Sequence, residues 1–349
     1  MALHRVVMIL LAFTIGPMIL FSSCAPQKPQ TYTNPIGEGI KMGDPFVIKY
    51  ENTYYLTGTT NSNDGFRIWS SSNLVNWEPH EYAYQAATDA WGKNSFWAPE
   101  LFRKDDKYYL AYSVNKLKGN SKDANFRLCL AVSDKPEGPY KDIYTPWCDF
   151  GDSVIDAHVF IDDDGKVYLY YAKVGVIFQP KFKLTGEIYG VQLNPDLSGA
   201  LTDPVLVSKQ EQKWERPEEG RALCNEGAFV FREGNTYYLT YSANSYDEPF
   251  YAIGYSTASS PLGPWTKAKE NPLLKLDKKI GVSGPGHSCM TTSPDGKERF
   301  IIYHAHADPN KPSGERTVNM DRVTIENGKL KVVGPTRSPQ PVPSGATIK

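Results

Sequence analysis

One unit recurs five times along this chain, and that recurrence constrains the fold more than any bulk property. Each copy opens on a polar or ionisable residue, runs through a few apolar residues to a charged turn, and ends in a strand of aromatic and β-branched residues. The copies start near Asp44, Glu100, Asp156, Glu226 and His287. They end in Thr53-Tyr54-Tyr55-Leu56, Lys107-Tyr108-Tyr109-Leu110, Lys166-Val167-Tyr168-Leu169, Thr236-Tyr237-Tyr238-Leu239 and Arg299-Phe300-Ile301-Ile302-Tyr303. The anchors are 56, 56, 70 and 61 residues apart, the size of a four-stranded blade with insertions. A second echo follows three of the hairpins, from Phe66 to Trp77, Phe126 to Tyr140 and Tyr251 to Trp265, and is degenerate from Ile188 to Leu197 and from Thr317 to Leu330. Short Tyr-rich strands punctuated by 28 Gly and 26 Pro favour an all-β chain. The expected fold is a five-bladed β-propeller.

The formal charge of −1 gives a polyelectrolyte no reason to bind, and no basic run is interleaved with stacking aromatics, so nucleic acid is not an expected partner. Residues 1–23 have the layout of a secretory signal: a basic start at His4 and Arg5, then sixteen mostly apolar residues from Val6 to Phe21. Ser22-Ser23-Cys24 resembles a bacterial lipoprotein signal, with Cys24 as the lipidated first residue of the mature chain. Export to the cell envelope is the consequence, at the periplasm or outer membrane surface, with membrane contact only through that lipid. Residues 24–33, carrying Pro and Gln, are expected to be a tether, and 34–349 one catalytic domain, a monomer, with no room for a second. Cys129, Cys148, Cys224 and Cys289 have no CxxC spacing and are expected to be small buried hydrophobes.

In a propeller the innermost strands run the same way along a central channel, so equivalent positions form a ring at one mouth. Here that ring would hold Asp44, the Trp97 to Glu100 segment, Asp156, Glu226 and His287. A lone carboxylate at a strand start is usually a turn residue. Three at matching places in separate repeats, flanked by small or apolar residues such as Gly43, Pro45, Ile155 and Ala157, point to chemistry, because limited solvation pushes their pKa values apart. Acetal cleavage needs that arrangement: one protonated carboxylic acid for the leaving oxygen and one ionised carboxylate for water or carbon.

Gly43-Asp44-Pro45-Phe46, Phe96-Trp97-Ala98-Pro99-Glu100, Val154-Ile155-Asp156-Ala157, Asn225-Glu226-Gly227-Ala228 and Gly286-His287-Ser288 resemble, in order, the signature segments of glycoside hydrolase family 43. The resemblance implies an inverting propeller hydrolase with Asp44 as general base, Glu226 as general acid and Asp156 as the group that raises and orients the acid. It implies no cofactor in the chemistry, and a calcium ion bound through water near His287. Removal of terminal α-L-arabinofuranosyl units from plant-type oligo- or polysaccharides is the leading expectation, with β-xylosidase or β-galactofuranosidase as alternatives and a non-catalytic carbohydrate-binding propeller as the outside reading.

Trp97 and Phe96 are expected to give a sugar an apolar platform, and Arg316 to bind a substrate hydroxyl or a ring acid. Glu100 and His158 read as structural. His304 and His306 share one strand face but lack a third ligand. Asp162-Asp163-Asp164-Gly165 is a hairpin turn, not a calcium loop. The segments from Val174 to Thr185 and from Trp214 to Arg221 are expected to be irregular loops that set specificity.

Overall fold

The computed structural model describes residues 30–60, 63–116, 125–177 and 183–348; the signal segment and Cys24 lie outside them. After the short β1 (Thr31–Tyr32), β2 (Gly43–Tyr50), β3 (Thr53–Thr59), β4 (Gly65–Ser71) and β5 (Glu78–Gln85) form one four-stranded antiparallel sheet. β6 (Asn94–Lys104), β7 (Lys107–Asn115), β8 (Phe126–Ser133) and β9 (Lys141–Tyr144) form another. β10 (Val154–Ile161), β11 (Val167–Ile177), β12 (Lys183–Gln192) and β13 (Val205–Ser208) repeat the pattern, as do β14 (Ala222–Glu233), β15 (Thr236–Ala243), β16 (Ala252–Ala258) and β17 (Thr266–Lys267); a parallel ladder from β12 to β14 joins these two groups. β18 (Gly286–Thr292), β19 (Arg299–His306), β20 (Arg316–Glu326) and β21 (Lys329–Val333) make the last four-stranded sheet, and β22 (Gln340–Pro341) returns to pair with β1.

The first strands lie against one another in chain order, β2 on β6, β6 on β10, β10 on β14 and β14 on β18, and β18 meets β2. The apolar faces fill the seams: one core cluster holds Tyr54 and Leu56 of β3, Tyr112 of β7, and Phe300 and Ile302 of β19. Burial of such large side chains, about 1.5–3 kcal/mol each, is what holds sheet to sheet. The closing seam is also stitched by polar contacts, with Tyr54 Oη donating to the Thr292 carbonyl at 2.8 Å and Asn34 bonded both ways to Met320 at 2.9 and 2.8 Å.

The fold begins earlier than the composition suggests. Thr31 and Tyr32 pair with Pro341 and Gln340, and Tyr32 is buried with its hydroxyl on the Met320 carbonyl at 3.0 Å, so residues 30–33 are anchored and are not the end of a tether. The segment from Val174 to Thr185 is likewise more regular than expected: its described part extends β11 and β12 as a hairpin paired out to Ile177 and Lys183. Asp163 and Asp164 form the predicted turn.

Candidate active site

Every first strand carries the same irregularity. The ladder register slips between Gly43 and Phe46, Trp97 and Glu100, Ile155 and His158, Glu226 and Phe229, and Gly286 and Ser288. Within each slip one residue has positive φ: Asp44 at 51°, Ala98 at 45°, Asp156 at 60°, Gly227 at 58° and His287 at 44°. Four of the five have a Cβ, and a left-handed backbone costs such a residue on the order of 1 kcal/mol or more. A bulge turns side chains away from the regular strand face, and here it aims Asp44, Asp156, Glu226 and His287 into one cavity of about 460 Å³.

The strain is held by a repeated clasp. The bulge amide of one sheet donates to a side chain at the end of the second strand of the preceding sheet. Ala98 N–H reaches Thr59 Oγ1 at 2.8 Å, Asp156 N–H reaches Ser113 Oγ at 2.9 Å, His287 N–H reaches Ser242 Oγ at 2.7 Å, and Asp44 N–H reaches His304 Nδ1 at 3.0 Å. The fifth clasp differs, because the matching position is Ala172, opposite Ile155 in the ladder, which has no polar atom to offer. Gly227 N–H turns instead to the Asp156 carboxylate, Oδ2 at 3.1 Å. One of the three acids is therefore fixed by the backbone next to another.

Asp44 and Asp156 share a neighbour, since His287 Nδ1 lies 3.3 Å from Asp44 Oδ1 and 3.9 Å from Asp156 Oδ2. Asp44 also accepts from Arg316 Nη1 at 2.9 Å. The guanidinium sits where Gly43 leaves room: a Cβ there would lie 1.9 Å from the Arg316 Cζ. Burial pushes the Asp44 carboxyl up, but Arg316, His287 and the Thr59 hydroxyl outweigh it and hold the group well below the usual carboxylate range. Arg316 is itself buried and packs its guanidinium over the Tyr246 ring at 4.8 Å.

Glu226 has the opposite environment. Burial, with the charge of Asp44, pushes its carboxyl up to about 7 although the Tyr251 hydroxyl donates to Oε1 at 2.8 Å. Asp156 is pushed up too, by burial and by the charges of Glu226 and Asp44. One carboxylate is thus kept ionised while its neighbours favour a proton. Tyr251 is fully buried, fills the space that Gly286 vacates, and stacks on His304 with centroids 5.5 Å apart and planes at 6°. Because Asp44 N–H donates to His304 Nδ1, the ring hydrogen sits on Nε2; burial and the nearby Arg316 charge press its pKa well below the ordinary value, so the ring is neutral.

Of the residues expected from sequence, Asp44, Asp156, Glu226, His287, Arg316 and Trp97 all line the cavity. Trp97 stacks on Phe126 at 4.5 Å. Phe96 does not reach it: the ring is buried among Phe66, Tyr84 and Tyr112, so it packs the core and offers no face to a sugar. The ring position of the second sheet is Ala98. Glu100 lies two residues deeper, where His158 Nδ1–H donates to its Oε2 at 2.7 Å and His158 Nε2 accepts from Val230 N–H at 2.9 Å. His306 serves the fold, between Ser283 Oγ at 3.0 Å and the Tyr246 carbonyl at 2.9 Å.

Thr59, Tyr246, Tyr251 and His304 were not expected at the site from the motifs. A signal for two of them was present: the residue three places after Leu56, Leu110, Leu169, Leu239 and Ile301 of the second-strand motifs reads Thr59, Ser113, Ala172, Ser242 and His304. Calcium takes six to eight oxygen ligands, and His287 Nδ1 faces two carboxylates of which one is engaged by Arg316. Among the described residues no three His, Cys, Asp or Glu converge on a metal position. The protein donors fit an ion poorly, and any ion here would be held chiefly by water.

The family model described as Glycosyl hydrolases family 43 matches residues 32–330. A β-D-galactofuranosidase of Aspergillus niger is 26 % identical over 322 residues, covering 87 % of this chain and 85 % of that protein. An extracellular exo-α-(1→5)-L-arabinofuranosidase of Streptomyces avermitilis is 28 % identical over 298 residues, 80 % of this chain but 57 % of that longer protein. Among solved structures, a thermostable family-43 glycoside hydrolase is 44 % identical with a TM-score of 0.84, covering 90 % of this chain and 100 % of the other.

Proposed function

This chain belongs to glycoside hydrolase family 43, and on that premise we propose that it is an exo-acting α-L-arabinofuranosidase, a five-bladed propeller that releases terminal sugars with inversion. The observation that carries the reading is the split among acids in one cavity: Asp44 ionised beside Arg316, and Glu226 protonated near neutrality. Pairs whose environments drive their protonation apart are the acid and base of such reactions. Four-stranded groups whose first strands succeed one another round to the start support the propeller.

In the proposed step, Asp44 takes a proton from water as the water oxygen bonds the anomeric carbon, and Glu226 gives its proton to the departing oxygen. Tyr251 occupies Glu226 Oε1, which leaves Oε2 to carry the transferable proton. Asp156 accepts from the Gly227 amide and so holds the bulge that carries the acid. Arg316 keeps Asp44 ionised, and a sugar hydroxyl that shares the guanidinium returns basicity to the carboxylate at the moment water is to be activated. No step passes through a metal ion.

The arabinofuranosyl assignment rests on the Streptomyces relative and on a cavity within the volume range of small-ligand sites. The Aspergillus relative supports β-D-galactofuranoside as the second reading. Export, lipidation at Cys24 and a monomeric state belong to the same proposal and rest on the sequence alone; mass spectrometry of the mature N-terminus tests the lipid. Aryl arabinofuranoside, xyloside and galactofuranoside turnover decides the sugar, and NMR of the first anomer released decides the stereochemistry. Glu226→Gln should lose orders of magnitude in kcat with partial rescue by a better leaving group, and Asp44→Asn should lose as much without rescue. Equal rescue of both would overturn the roles.

A further inference from the structure

We infer that the paired, described part of the β11–β12 hairpin is the leaving-group wall of the site, and that the enzyme takes glycosides whose leaving group presents an apolar face to it. This rests on the hydrolase reading above and adds to it the chemistry of the aglycone. The strand that carries the acid fixes the place of the hairpin. Before it reaches Glu226, β14 runs parallel to β12, with Leu184 opposite Ala222, Thr185 opposite Leu223 and Gly186 opposite Cys224. Leu184 N–H also donates to the Arg221 carbonyl at 3.1 Å. The hairpin end is thus clamped beside the acid.

In a single displacement the attacking water and the leaving oxygen occupy opposite sides of the anomeric carbon. With water at Asp44, the leaving oxygen lies toward Glu226, and the aglycone attached to that oxygen meets the hairpin. Val174, Val176 and Leu184 line the cavity there. Val176 pairs directly with Leu184 across the ladder, so their side chains and that of Val174, two residues away, share one face. Val176 and Leu184 are each 42 % exposed, an apolar surface at the mouth of a binding cavity, where exposed hydrophobic area marks recognition. Thr185 is the polar hairpin side chain in the lining. Two of the charged side chains near it are engaged elsewhere, Lys173 with Asp152 at 2.7 Å and Arg221 with Asp247 at 2.6 Å.

The test uses methyl, n-butyl and n-hexyl glycosides of the sugar the screen selects, whose alcohols leave with similar intrinsic ease. A fully buried methylene is worth about fourfold, and against a half-exposed wall kcat/KM should rise about tenfold or more from methyl to hexyl. Val176→Ser with Leu184→Ser should flatten that rise, lowering kcat/KM on the hexyl glycoside by a larger factor than on the methyl glycoside. A flat series in the wild type, or equal loss on methyl and hexyl substrates in the double variant, overturns the proposal. Dissociation constants of α-L-arabinofuranosides of the same three alcohols on Glu226→Gln protein separate the two readings. Chain-length-dependent binding without wild-type turnover keeps the wall and sinks the hydrolase reading, and turnover with no dependence on chain length in rate or binding does the reverse.

Discussion

Replacing Tyr251 with Phe removes one hydroxyl and leaves the ring on His304, which makes it a clean probe of how the acid is tuned. The bond lost is the 2.8 Å contact to Glu226 Oε1. It favours the ionised carboxylate, so its removal must raise the Glu226 pKa above about 7. Hydrogen bonds to charged groups contribute about 1.5–3 kcal/mol, and one pKa unit is about 1.4 kcal/mol, so the rise should be about one to two units. A general acid works only while protonated, so activity falls as pH climbs through its pKa. The basic limb of kcat/KM, which reports the free enzyme, should therefore move to higher pH by about that amount, while kcat at its optimum drops about tenfold as the carboxyl loses its fixed orientation. The assay is kcat/KM against pH with an aryl glycoside. A basic limb that stays put or moves down would refute the acid assignment, the hydrogen-bond reasoning, or both.

Arg316→Gln should act on the other limb. With the guanidinium gone, Asp44 rises toward an ordinary carboxylate pKa, the base is lost to protonation at higher pH, and the acidic limb of kcat/KM shifts upward. The stability that the depressed Asp44 pKa contributes is present above the unfolded value and fades as pH falls through the folded one, so the variant should lose less stability on acidification than the wild type, as read by melting temperature against pH. Ser242→Ala strands the buried His287 amide, which costs about 1–3 kcal/mol; chemical denaturation should show it, and an unchanged midpoint would argue that the clasp holds nothing. Trp97→Ala should raise KM several-fold with both pH limbs unmoved, measured on the same aryl glycoside.

The repeat unit was legible because each copy preserves a hairpin whose apolar alternation and turn chemistry are local. Asp44, Asp156 and Glu226 were legible because ionisable residues rarely recur at the mouth of a buried strand without a use. The hidden part consisted of contacts that no short-range pattern encodes. Tyr251 sits before the third strand of its sheet and reaches Glu226 only when β16 folds back along β15. Phe96 and Trp97 are adjacent and both aromatic, and the bulge sends one into the core and the other into the cavity. Glu100 matched the other anchors by spacing, yet the same bulge gives the ring position to Ala98. Spacing counts residues, whereas a bulge changes which face a given count arrives on.

The clasps also imply an order of failure. Each bulge amide is gripped from the sheet before it, and Asp44 is gripped by His304 from the last sheet, across the junction where chain start meets chain end. Warming that loosens this junction first would let the left-handed backbone at Asp44 relax while most strands remain paired. Such a molecule would fall silent as an enzyme some degrees before its circular dichroism changes.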